Sequence, residues 1–103
     1  MRRGILSLII LISGCDIIRT NPRAEFVASS RIFTATVESL TLLNENGKLS
    51  DKDIELSDQL IERGQDILHL WHSKLTLKED TSQVQSEMTK VNRELMEIEL
   101  RGR

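Results

Sequence analysis

The chain has 103 residues, with 14 Lys and Arg against 16 Asp and Glu, and only 3% of it is aromatic. A slightly negative chain without a basic stripe excludes electrostatic capture of DNA or RNA, and a single cysteine excludes a disulfide framework or a Cys-built metal site. One Pro, no Tyr and no sustained period-two alternation exclude a β-sandwich or barrel, so the fold class is all-α.

The chain opens on Met1-Arg2-Arg3, then an apolar run from Gly4 to Ile12. A basic start, a short apolar core and small residues before a cut make a secretory signal. The run is too short to span a bilayer, which takes about 20 apolar residues as a helix. Loss of Arg2 and Arg3 with the signal leaves the remaining chain more acidic.

Ile12-Ser13-Gly14-Cys15 resembles the box of bacterial lipoprotein signals: an aliphatic residue, a small residue, Gly or Ala, then Cys. The resemblance implies a diacylglyceryl thioether on Cys15, cleavage between Gly14 and Cys15, and acylation of the new amino terminus, palmitate being one such chain. Several acyl chains at about 0.8 kcal/mol per buried CH₂ anchor firmly, whereas one alone is marginal. The implied division is a signal at 1–14, a lipidated tether at 15–21 and a helical domain at 22–103. No other cofactor is called for. Asp16 resembles the residue that retains enterobacterial lipoproteins in the inner membrane, which implies its periplasmic face. Arg19 and Arg23 follow within reach of anionic headgroups, where each basic side chain contributes about 1 kcal/mol.

Asn21 and Pro22 start the first helix, 22–45, with Asn as cap and Pro at the first helical position, where its missing N–H costs nothing. Phe26, Phe33, Val37, Leu40 and Leu43 share one face, widened by Val27 and Ile32, and Ala24, Ala28 and Ala35 are small enough for a partner helix to approach. Gly47 suits the left-handed position just past a helix end. Ser50 then caps a second helix, 51–78, with Asp51, Asp53 and Glu55 in the first turn where the helix dipole favours negative charge. So short a connection predicts an antiparallel hairpin. Ile54, Ile61, Leu68, Trp71 and Leu75 form the second helix's stripe. Gly64 lies between them and predicts close contact with a facing side chain such as Phe33. Trp71 is placed to cover the open end of the hairpin.

A second stripe runs Leu56, Leu60, Ile67, Leu70, Leu77 and Thr81, then Val84, Met88, Val91, Leu95 and Ile98 at heptad spacing. No Gly or Pro lies between Gln65 and Arg101, which favours one helix from Asp51 to near Leu100, about 75 Å long. The rival is a break at Glu79–Ser82, with Asp80 capping a third helix over 81–100. The seam Val84, Met88, Val91, Leu95, Ile98 is narrower than a core-facing helix usually carries. That favours a homo-oligomer or one helical protein partner over a fold-back three-helix bundle.

His69 and His72, with Asp66 three residues earlier, are the nearest approach to a metal cluster. Metal sites use three or four ligands with supporting hydrogen bonds, so a pair flanking a packed Trp is the plainer reading. No Ser–His–Asp or paired-carboxylate arrangement stands out, and the chain reads as a non-enzyme without a small-molecule substrate. The segment from Phe33 to Leu43, followed by Gly47-Lys48-Leu49-Ser50-Asp51, resembles small lipoproteins of phages and prophages. There an Ala/Thr-rich helix ends in a Gly-x-Leu/Ile-Ser-Asp/Glu turn. That resemblance implies a setting of lysis or of exclusion of competing phages. The resulting expectation is a membrane-anchored interaction module, with a binding or immunity lipoprotein that blocks a receptor or toxin as the alternative.

Overall fold

The computed structural model describes residues 22–103, which form three helices: α1 (Pro22–Glu45), α2 (Asp51–Thr76) and α3 (Ser82–Gly102). Each packs on the other two. The α1–α2 pair is antiparallel, because Phe26 meets Trp71 at one end while Phe33 lies over Gly64 farther along. The α2–α3 pair is also antiparallel, closed at its far end by Arg101 donating to the Asp53 carboxylate at 2.9 Å. Helices α1 and α3 therefore run parallel, with Asn92 beside Ser29 and Gly102 beside Leu43.

Local chemistry explains the boundaries. After α1 the Lys48 N–H donates to the Leu43 carbonyl at 2.8 Å and the Gly47 N–H to the Asn44 carbonyl, with Gly47 at φ +69°. This Schellman turn satisfies carbonyls that a helix end leaves without partners. The Ser50 hydroxyl then accepts the Asp53 N–H at 3.1 Å, the predicted cap.

The second exit differs from the favoured expectation. The long helix breaks after Thr76, where the Glu79 N–H donates to the Lys74 carbonyl at 2.8 Å and Lys78 takes φ +59°. It is the same Schellman geometry, with a lysine in the position that glycine usually fills. The Asp80 carboxylate accepts the Ser82 N–H at 3.1 Å and the Ser82 hydroxyl at 2.6 Å. The chain thus turns back, and α3 falls into the groove between α1 and α2.

The core follows from that placement. Phe33 and Leu40 of α1 and Leu60, Ile67 and Trp71 of α2 enclose Val84, Met88, Val91, Leu95 and Ile98 of α3. Burying a side chain of this kind contributes about 1.5–3 kcal/mol. Trp71 is 1% exposed, its ring edge-on to Phe26 with centroids 5.5 Å apart, so it does cover the hairpin's open end. Two expectations need correction. Ala28 and Ala35 lie exposed on the outside of α1, and Leu56, Leu70 and Leu77 are left out of the core that Leu60 and Ile67 join. Among the described residues no helix is long and apolar enough to cross a membrane.

Candidate functional site

The lipidation box, Ile12, Ser13, Gly14 and Cys15, and the sorting residue Asp16 lie outside the described residues. What the structure adds is where the chain enters the fold: at the start of α1, on the end of the bundle formed also by the α2–α3 loop.

The seam residues are brought together, though not on a surface. Val84, Met88, Val91, Leu95 and Ile98 are each 2% exposed or less, packed within their own chain. They cannot meet another molecule without unfolding the bundle. The correction has a physical cause. In a three-helix bundle each helix turns one stripe toward the common axis, so a heptad seam with polar margins is buried by the two other helices of its own chain. Asn92 is buried at one such margin.

His69 and His72 are exposed on α2, bordering a shallow depression with Phe26, Ser30, Gln65 and Leu68. The His72 ring lies 5.9 Å from that of Phe26, tilted by 50°. Among the described residues no three His, Cys, Asp or Glu side chains gather closely enough to hold a metal ion. The pair therefore offers two donors where a site takes three or four.

The feature absent from the sequence reading is an open groove between α1 and α3, with Ile32, Met96 and Leu100 as its apolar walls and Ser29, Thr89, Arg93 and Glu97 along its edges. Ile32 is 44% exposed, Met96 37% and Leu100 70%. Asn92 lies beneath them, 5% exposed; its amide donates to the Ser29 carbonyl at 3.4 Å, and its Oδ1 has no protein partner. A buried acceptor left without a donor costs about 1–3 kcal/mol. The sequence signal for this groove was slight: Met96 and Leu100, four apart, both fall off the heptad seam.

Charge is arranged by pairs at the end remote from the chain's entry. The guanidinium of Arg101 holds the Asp53 carboxyl below its ordinary range and is itself pushed up by Asp53. Glu99 is lowered by the Ser39 hydroxyl and then by Arg103, which donates to it at 2.8 Å. At the opposite loop, the Ser82 hydroxyl lowers Asp80. These contacts fix helix ends. Comparison with protein-family models, curated protein sequences and solved structures finds no match to this chain.

Proposed function

We propose that this chain is a lipoprotein held by acyl chains on Cys15 at the periplasmic face of a bacterial inner membrane, where it acts by contact and not by catalysis. The observation that carries this reading is Ile12-Ser13-Gly14-Cys15 placed directly behind the apolar run. The loose likeness of residues 33–51 to phage and prophage lipoproteins supports a setting of lysis or exclusion.

With the heptad seam used inside the bundle, the contact surface is the α1–α3 groove, and its occupant is a second copy. Arg93 and Glu97 border the groove one turn apart, so a two-fold mate sets Arg93 of each copy against Glu97 of the other. Ile32, Met96 and Leu100 supply the apolar centre. The closed core also lends weight to the alternative, a finished bundle that presents one face to a receptor or toxin and blocks it.

Two measurements in intact cells test this. Incorporation of a palmitate analogue into wild type and not into Cys15→Ala is expected, and a wild type that takes up none removes the anchor. Chemical crosslinking of a tagged chain is expected to give self-multiples that Met96→Asp abolishes. A ladder that survives Met96→Asp, or no adduct, overturns the groove. A single foreign band transfers the surface to the blocking function.

A further inference from the structure

We infer that the α2–α3 loop is a second membrane contact, with Leu77 and Lys78 resting among the headgroups of an anionic phospholipid surface. This deepens the lipoprotein reading and rests on it.

Topology supplies the first argument. The chain enters α1 at the end of the bundle where Phe26 meets Trp71 and His72, and the α2–α3 loop begins at Leu77, just beyond. Residues 15–21 span at most about 24 Å when fully extended. An anchor on Cys15 therefore keeps this end of the bundle close to the bilayer.

The loop itself supplies the second. Leu77 is 64% exposed, and Leu70, two turns back on the same side of α2, is 50% exposed. Lys78 takes the left-handed position where glycine would sit without strain. A glycine there would carry no charge and no stem. The lysine places an ammonium next to the most exposed leucine of α2 and its loop, and an apolar side chain beside a cation is what an interface of acyl chains and phosphates accepts.

The neighbouring charges balance. Glu79 faces Lys74 at 3.6 Å, and Asp80, which accepts from the N–H and hydroxyl of Ser82 and keeps its charge, offsets Lys78, so the loop is neutral overall. The remote end of the bundle carries Asp51, Asp53, Glu55 and Asp58 from α2 and Glu97 and Glu99 from α3 against Lys48, Lys52, Arg101 and Arg103, so acids outnumber bases there. An anionic surface repels that end and favours the loop pointing inward.

The test uses the full lipid-modified chain in vesicles of phosphatidylethanolamine with phosphatidylglycerol. Cys15 is the only cysteine, and its sulfur is consumed by the thioether, so Leu77→Cys and Asn46→Cys each offer one thiol for an environment-sensitive fluorophore. Asn46, exposed in the α1–α2 turn, reports the opposite end. The label at 77 is expected to shift to the blue and to be quenched by headgroup-depth quenchers, while the label at 46 behaves as in water. Adding Lys78→Gln is expected to weaken the contact at 77 about five-fold, the effect of removing one basic side chain from an anionic surface. If the label at 77 is as wet as that at 46 while wild type takes up no fluorophore, this inference fails and the lipid anchor stands. If wild type reacts at Cys15, both fall together.

Discussion

The space that a Cβ on Gly64 would need is filled by the ring of Phe33, whose Cζ lies 2.8 Å from that position and whose Cε1 lies closer still. A side chain on α2 would have to displace a buried aromatic of α1. Gly64→Ala gains about 1 kcal/mol of helix propensity, but overpacking of this kind costs about 1–3 kcal/mol. Urea unfolding followed by Trp71 fluorescence is expected to show net destabilisation, reversed in part by Phe33→Leu in the same chain. Equal midpoints for Gly64→Ala and wild type would mean that the ring moves aside freely.

The two Schellman turns make an internal comparison. Gly47 occupies its left-handed position without strain, whereas Lys78 holds the same conformation with a Cβ. Lys78→Gly is expected to raise stability by about 0.5–1 kcal/mol. Gly47→Ala is expected to lower it by a similar amount, since nothing lies within 4 Å of the added Cβ and only backbone strain operates. Thermal unfolding of both variants checks the pair; a stabilised Gly47→Ala would contradict the assignment.

Adjacent residues on α3 separate core from surface. Leu95 is fully buried, so Leu95→Ala is expected to cost about 2–5 kcal/mol. Met96 faces the groove, and Met96→Asp is expected to stay within about 0.5 kcal/mol of wild type when unfolding is measured at a concentration low enough for the chain to be monomeric. Similar losses for both would show that the groove is closed in solution.

Acid sensitivity follows from three carboxylates. The Arg101 hydrogen bond lowers Asp53, the Ser82 hydroxyl lowers Asp80, and the Ser39 hydroxyl followed by Arg103 lowers Glu99. In the unfolded chain these groups take up protons more readily, so their contribution is complete above the ordinary carboxylate range. It is lost as pH falls through that range and below. Unfolding midpoints are expected to be flat from about pH 7 to 5 and to drop below about pH 4. Asp53→Asn combined with Glu99→Gln should flatten that drop, and an unchanged acid slope would remove these pairs from the explanation.

The hairpin was legible because each step has a short-range cause: Gly47 for the exit, Ser50 for the cap, and Gly64 for the close approach of Phe33. The turn at Leu77–Thr81 was less so, because a lysine adopts the conformation by which glycine would have announced a stop. The destination of the seam is hidden for a geometric reason. A heptad stripe is buried equally well by two helices of its own chain or by a second molecule, and its width does not distinguish them. The α1–α3 groove depends on Ile32 and Met96, 64 positions apart, which no local pattern connects. Ile12-Ser13-Gly14-Cys15, on which the proposed anchor rests, precede the described residues.

Three is an odd number of passes, so the chain enters the bundle at one end and Arg103 lies at the other, about 30 Å away along α3. Tension between the start of α1 and anything grasping that far end would pull α1 and α3, parallel neighbours, in opposite directions along their common axis. The bundle would be loaded in shear, with Phe33, Met88, Leu95 and their neighbours resisting together, instead of being peeled open one turn at a time. A hairpin alone, with both ends on one side, would have unzipped.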